Sequence, residues 1–93
     1  MPRKLSDDEI KSALGNLSGW SRKGDAIERT FTFQRFADGI AFVDRMAALA
    51  DAADHHPDID IRYTKIKVAL STHDAGGITK ADVDLAGQIS AAA

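Results

Sequence analysis

An alternating pattern of apolar and polar residues between Ala26 and Phe33 constrains the fold of this chain more than any other feature of its sequence. Its large apolar side chains fall on one face, together with Arg29, and this spacing predicts a half-buried β-strand. Such a strand needs an apolar layer on its inner face. Residues 19–22 precede it across the turn residues Lys23-Gly24-Asp25, so we predict a β-hairpin.

Residues 35–53 supply the predicted covering layer, because their apolar residues recur with helical spacing. Two adjacent rows form an apolar face that is wide enough to pack on a sheet and also to contact a partner chain. We interpret both rows as core positions rather than as a cofactor site. The first row is Phe36, Ile40, Val43, Ala47 and Ala50, and the second is Phe42, Met46, Leu49 and Ala53.

Two further strands are predicted at residues 59–63 and 66–72, with a turn near Thr64 and a loop at residues 74–77. Helices are predicted at both ends of the chain. The first, residues 7–14, has Ser6 and Glu9 as a capping box and Gly15 as its stop.

The last helix is predicted to begin after Thr79, with Asp82 in the capping-box position. The resulting order is helix, strand, strand, helix, strand, strand, helix. It predicts a single α+β domain over residues 1–93, in which a four-stranded antiparallel sheet carries three helices packed on one face.

Composition excludes several classes of function. The formal net charge is -2, so the chain lacks the basic excess that attracts phosphates, and we expect no nucleic-acid partner. The absence of cysteine excludes disulfides, thiolate nucleophiles and cysteine-ligated zinc. The N-terminal residues turn acidic where a signal peptide would be apolar, and no apolar run approaches the roughly 20 residues that cross a membrane. We therefore expect a cytoplasmic protein.

The three histidines are the main candidates for chemistry. His55 and His56 enter the strand at 59–63, and His73 follows the strand at 66–72. In an antiparallel hairpin the start of one strand lies beside the end of the next, so all three should meet at one end of the sheet. Imidazole is the side chain best suited to passing protons near neutral pH.

Two other interpretations of the histidines remain open at this point. A histidine pair in a polar loop is often exposed on the surface and has no specific function. Metal binding would use nearby carboxylates, namely those of Asp54, Asp58 and Asp74. Against it, Pro57 favours an extended backbone at His56, and adjacent residues of an extended chain point to opposite sides.

Other polar and aromatic residues near the predicted site have simple structural explanations. Asp74 is a turn residue, Asp82 caps a helix, and Trp20 is an aromatic of the core or its rim. The indole of Trp20 could also stack on a flat heterocycle. Ser71 and Thr72, at the end of a strand, could donate hydrogen bonds into a pocket.

Taken together, these residues resemble the signature of the pterin-4a-carbinolamine dehydratases, and the resemblance covers the chain from about Leu5 to Ile89. The paired His-His-Pro and the Ser-Thr-His at this separation are specific in combination. The matching positions are Asp54-His55-His56-Pro57, Tyr63, Leu70-Ser71-Thr72-His73-Asp74, Gly77-Ile78-Thr79, Asp82, Gly19-Trp20 and the Phe31-x-Phe33 strand.

The resemblance implies a reaction, partners and a fold. The fold is a four-stranded antiparallel sheet with three helices, in dimers or tetramers. The reaction removes water from a 4a-hydroxytetrahydropterin and gives the quinonoid dihydropterin, with no cofactor and no metal. Aromatic amino-acid hydroxylases release that substrate, so the activity would recycle their cofactor, tetrahydrobiopterin.

The resemblance also implies a set of site residues. His55, His56 and His73 would be the active-site histidines, and we hypothesise that His55 and His73 transfer protons while His56 holds the pterin. The substrate pocket would comprise these three residues with Asp54, Pro57, Ser71, Thr72 and Asp74, and with Trp20 and Asp82 at its edge. Three positions depart from the family pattern: Asp51, Ile59 and Ala81.

A second class of function follows from the same resemblance. Some animal relatives act as dimerisation cofactors of a transcription factor, a binding role that needs no catalysis. The apolar face of the 35–53 helix could serve that role or could close a homodimer, and of the two we favour the homodimer.

Overall fold

The computed structural model describes residues 3–93, and within them three α-helices and four strands follow the predicted order. The sequence pattern therefore predicted the fold class correctly. The elements are α1 (Asp7–Leu14), β1 (Ser21–Lys23), β2 (Ala26–Thr32), α2 (Phe36–Ala53), β3 (Asp58–Arg62), β4 (Lys65–Leu70), a one-turn 3-10 helix (His73–Ala75) and α3 (Lys80–Ala92).

The strands form one open antiparallel sheet in the order β1-β2-β4-β3. Both predicted hairpins are present, and β4 lies between β2 and β3. Several bounds differ from the prediction: β2 ends at Thr32, β3 is Asp58–Arg62 and β4 begins at Lys65. β1 starts at Ser21 rather than Gly19, because Gly19 has a positive φ of 85° and belongs to the turn. β4 ends at Leu70, because Thr72 leaves the ladder and pairs with Gly77 in an isolated bridge. Residues 74–77 are not irregular throughout, because the 3-10 helix runs into them.

The core lies between one face of the sheet and helices α2 and α3. Inward side chains of β2 and β4 pack against the second apolar row of α2, in which Phe42 and Met46 are fully buried. The first row lies nearer the surface, and Phe36 is 48% exposed. Gly39 of α2 is buried and faces Ile66 of β4, because a Cβ built there would lie 3.4 Å from the Ile66 side chain.

The starts of α1 and α3 follow the predicted capping chemistry. At α1 the Ser6 hydroxyl accepts from the Glu9 N–H, and the Glu9 carboxylate accepts from the Ser6 N–H at 2.9 Å. Glu9 also accepts from Arg3, and these donors lower the pKa of Glu9 from its usual 4.5 to about 2. The favourable effect of this contact is present above pH 4.5 and is lost as the pH falls toward 2.

The outer strand β3 is exposed along its whole length. Ile59 and Ile61 lie opposite the buried Val68 and Ile66 of β4 and therefore share the helix side of the sheet, yet they are 38% and 42% exposed. Tyr63, in the turn after β3, stacks on Phe36 with ring centroids 6.4 Å apart. We call the residues Phe36, Ile59, Ile61 and Tyr63 the edge patch; each is at least 38% exposed.

No helix among the described residues has the length and apolar character that a membrane crossing requires.

Candidate active site

An open cavity of about 290 Å³ lies at the end of the sheet where β3 begins and β4 ends. Asp58 pairs with Ala69, so the loop before β3 and the segment after β4 lie side by side. The structure thus brings the three histidines together, as the hairpin geometry predicts. The cavity is lined by Asp54, His55, His56, Ser71, Thr72, His73 and Asp74.

The end of α2 sets the direction of the histidine pair. Asp54 caps the helix in the left-handed conformation, with φ 48° and ψ 42°. Aspartate is among the few side chains that tolerate this conformation. The N–H of His55 still donates to the carbonyl of Ala50 at 3.1 Å. After this turn, the side chain of His55 contacts Asp82 of α3. The side chain of His56 contacts Asp51, which belongs to α2.

His55 is paired with a buried carboxylate. Its Nε2 lies 2.5 Å from Oδ1 of Asp82, which is in the first turn of α3. The Asp82 side chain is fully buried and that of His55 is 16% exposed. A carboxylate held this close fixes the orientation of an imidazole ring.

The other oxygen of Asp82 is held by two donors. Oδ2 accepts from the Thr79 N–H at 2.8 Å, the half of the predicted capping box that Asp82 supplies. It also accepts from the Thr72 hydroxyl at 2.8 Å. The Thr72 and Thr79 hydroxyl oxygens are themselves 2.8 Å apart. No buried side-chain nitrogen or oxygen lacks a hydrogen-bond partner in the part of the chain that is described.

His56 has a different environment. Its Nε2 lies 2.9 Å from Oδ1 of Asp51, and both side chains are mostly exposed, at 60% and 80%. His55 and His56 therefore bond to carboxylates on different helices. Within residues 3–93 no three histidine or acidic side chains are grouped so that they could hold one metal ion.

His73 begins the 3-10 helix on the other wall of the cavity. The bridge between Thr72 and Gly77 closes this short turn, in which the Thr72 N–H donates to the Gly77 carbonyl at 2.9 Å. Gly76 has a positive φ of 72°, a conformation that glycine adopts without strain. His73 is exposed, and it is not part of any ion pair among the described residues.

Three of the sequence-predicted site residues do not line this cavity. Trp20 lies in the core, where its Nε1–H donates to Oγ of Ser90 at 2.7 Å. Pro57 is half-buried at the entry to β3. Asp82 reaches the site only through its contact with His55.

Two contributors were missed at the sequence level. Thr79 was assigned only to helix capping, although its hydroxyl also contacts Thr72. The sequence marks Asp51 only as a departure from the family pattern, and it does not predict the contact of Asp51 with His56. The five-residue spacing of Asp51 and His56 across a helix end was the available signal for that pair.

A larger groove of about 600 Å³ runs between α1 and α3 but contains no histidine. Its walls mix apolar residues with charged ones such as Arg3, Glu9 and Lys80. Size alone would favour this groove, but the side chains suited to proton transfer lie in the smaller cavity.

Comparison with known families agrees with the resemblance in the sequence. Residues 3–92 match the family model described as Pterin 4 alpha carbinolamine dehydratase. A relative from Roseiflexus sp. strain RS-1 is 55% identical over 89 residues, which cover 96% of each chain. A relative from Sulfurisphaera tokodaii is 47% identical and covers 94% of each. Both carry the name pterin-4-alpha-carbinolamine dehydratase as a provisional assignment.

Two solved structures share the fold. A protein from Brucella melitensis, described as a transcriptional coactivator/pterin dehydratase, superimposes with a TM-score of 0.95 at 33% identity and covers 98% of this chain and 99% of its own. A pterin dehydratase-like protein, described as a RuBisCO assembly factor of the alpha-carboxysome, gives a TM-score of 0.65 at 26% identity and covers 78% and 84%.

Proposed function

This chain belongs to the pterin 4-alpha-carbinolamine dehydratase family, and we propose that it catalyses the dehydration of 4a-hydroxytetrahydropterin by histidine acid–base chemistry. The observation that carries the proposal is the convergence of three histidines on one cavity. Each has a different arrangement of carboxylate partners, so the three are suited to different tasks. The product would return to the cofactor cycle of an aromatic amino-acid hydroxylase.

The reaction needs one acid and one base. The bond between C4a and the hydroxyl oxygen breaks, and the departing hydroxyl takes up a proton to leave as water. The neighbouring ring nitrogen loses its proton, and the electron pair of that N–H bond forms the new double bond to C4a. The step is redox-neutral, so two positioned side chains are sufficient for it.

The geometry supports a division of labour among the histidines. His55 is fixed in position by Asp82, and His73 is on the opposing segment, so the pair can exchange protons with a substrate between them. His56 is held by an exposed carboxylate and is suited to binding the pterin ring. Asp54, Ser71 and Asp74 complete the walls that would contact the substrate.

Dehydration of freshly generated 4a-hydroxytetrahydropterin tests the proposal directly. We expect the wild-type protein to accelerate water loss above the uncatalysed rate, and His73→Ala to lose roughly 100-fold or more of that acceleration, since general acid–base catalysis contributes about 10²–10⁴-fold. Because His73 is exposed, the variant should remain folded. Thr30→Ala, on the open face of the sheet, serves as the matched control. A folded wild-type protein that does not accelerate the reaction would contradict the proposal.

A binding role without catalysis is the second candidate. The solved structure described as a RuBisCO assembly factor favours it, because that name assigns this fold to protein assembly. If the wild-type protein is inactive in the dehydration assay, this role becomes the better explanation. The convergence of all three histidines on one cavity supports the catalytic role for this chain.

We also propose that the protein self-associates through the edge patch and the free edge of β3. An antiparallel pairing of two copies centred on Asp60 would place Asp58 of each opposite Arg62 of the other, and Ile59 opposite Ile61. The exposed isoleucines of β3 would then be buried. In the outer row, two Asp58–Arg62 pairs would flank two Asp60 carboxylates that face each other, so the opposite-charge pairs offset one like-charge pair.

A further inference from the structure

We propose that Thr72 and Thr79 are positioning residues that act through Asp82 to fix which ring nitrogen of His55 carries its proton. The four side chains form one hydrogen-bonded chain from the first turn of α3 to the cavity. The catalytic consequence of this arrangement rests on the proposed dehydratase function, whereas the proton position in His55 can be measured without it.

The direction of the chain follows from counting donors. A hydroxyl group has one hydrogen, and an ionised carboxylate can only accept. The Thr72 hydrogen is therefore directed to Oδ2 of Asp82, 2.8 Å away. The contact between the two hydroxyls must then use the hydrogen of Thr79, which donates to Thr72. Both threonines are buried, at 8% and 1% exposure, so the protein supplies these partners.

The two donors from Thr72 and Thr79 both lie on one oxygen of the Asp82 carboxylate. Oδ2 accepts from the Thr79 N–H and from the Thr72 hydroxyl, each at 2.8 Å. The remaining oxygen, Oδ1, faces Nε2 of His55. An acceptor at this position requires a proton on Nε2, so Nδ1 of the neutral ring keeps its lone pair.

This proton position determines which histidine acts as the base and which as the acid. With Nε2–H committed to Asp82, Nδ1 is the ring nitrogen of His55 that remains to take a proton from the substrate. His55 is therefore the base that removes the ring N–H proton. His73, which is not paired with a carboxylate in the described part of the chain, is left as the acid that protonates the departing hydroxyl.

A direct role of Thr72 in substrate binding is the competing explanation, because Thr72 also lines the cavity. The two explanations differ in their kinetics. Loss of a positioning residue lowers kcat and leaves KM nearly unchanged, whereas loss of a substrate contact raises KM. They also differ before any substrate is added, since only the positioning role changes His55 in the free protein.

The test compares Thr72→Val with Thr72→Ser in the ¹⁵N-labelled free protein. Valine keeps the shape of threonine and removes the hydroxyl, whereas serine keeps the hydroxyl. Protonated and unprotonated ring nitrogens give well-separated ¹⁵N signals. We expect the neutral His55 ring of the wild type and of Thr72→Ser to carry its proton on Nε2. In Thr72→Val we expect a mixture of tautomers and a loss of kcat of about tenfold, from one missing hydrogen bond to a charged group.

The outcomes separate this inference from the proposed function. Unchanged His55 signals in a folded Thr72→Val protein would overturn the positioning role, even if the protein is an active dehydratase. A wild-type ring protonated at Nδ1 would also overturn it. A shift of tautomers in Thr72→Val but not in Thr72→Ser would support it, even in a protein without dehydratase activity.

Discussion

At the scale of single residues, the three histidines differ in their carboxylate partners. His55 has a buried partner that is itself held by two donors. His56 has an exposed partner, and an exposed pair of this kind contributes little to stability. A substitution at His56 should therefore affect substrate binding without disturbing the fold.

We predict that His56→Gln raises KM by about tenfold and changes kcat by less than a factor of about three, because it removes a contact made equally in the bound and transition states. Steady-state dehydration assays at several pterin concentrations measure the split. Asp51→Asn is the matched variant, and it should give a smaller rise in KM. A fall in kcat comparable with that of His73→Ala would instead make His56 a proton-transfer residue.

The sequence alone was sufficient to place the histidines but not to pair them. Their convergence follows from hairpin geometry, which depends only on local alternation and on antiparallel pairing. The contact of His55 with Asp82 joins residues 27 positions apart and depends on where α3 packs. The capping pattern correctly predicted that Asp82 lies in the first turn of a helix. A local pattern of this kind does not show which distant residue, here His55, contacts the Asp82 side chain.

At the scale of elements, the end of α2, the start of α3 and the 3-10 helix position the site. The sequence predicts a loop where the 3-10 helix lies, because glycine and aspartate composition does not distinguish a single hydrogen-bonded turn from an irregular one. The family resemblance places Trp20 at the edge of the pocket. Its burial against Ser90 of α3 is a tertiary contact that no local pattern in the sequence shows.

The two helix starts allow a matched comparison. Ser6→Ala removes the cap of α1 and should lower the free energy of unfolding by about 1 kcal/mol, with unchanged dehydration kinetics. Asp82→Ala leaves the donors of His55, Thr72 and Thr79 without their common acceptor in a buried site. It should cost about 3 kcal/mol or more and also lower kcat strongly. Urea unfolding and the dehydration assay measure the two effects. Equal stability losses with equal activity would contradict the double role of Asp82.

At the scale of the whole molecule, the uncovered edge of the sheet is the prominent feature. An exposed edge strand with apolar side chains readily pairs with another strand. In this chain the neighbouring rings of Phe36 and Tyr63 extend the apolar surface beyond β3. Self-association would bury this surface at the far side of the sheet from β1.

We predict that Ile61→Lys converts the protein from an oligomer to a monomer, because a lysine on an edge strand opposes strand pairing. Light scattering coupled to size-exclusion chromatography measures the mass over a range of concentrations. Thr30→Lys, an exposed position on the open face of β2, adds the same charge outside the edge patch and should leave the mass unchanged. A wild-type protein that is monomeric at high concentration would contradict self-association.

The double engagement of Asp82 has a consequence for motion. Helix ends open and close far more often than whole domains unfold. Each opening of the first turn of α3 would break the Thr79 N–H bond to Asp82 and withdraw the carboxylate from His55 at the same moment. The ability of His55 to transfer a proton would then depend on how often this helix end frays. On warming, the dehydration rate would fall before the core unfolds. The rate at which the Thr79 amide proton exchanges with solvent deuterium therefore reports how often this helix end opens and the site loses the Asp82 contact.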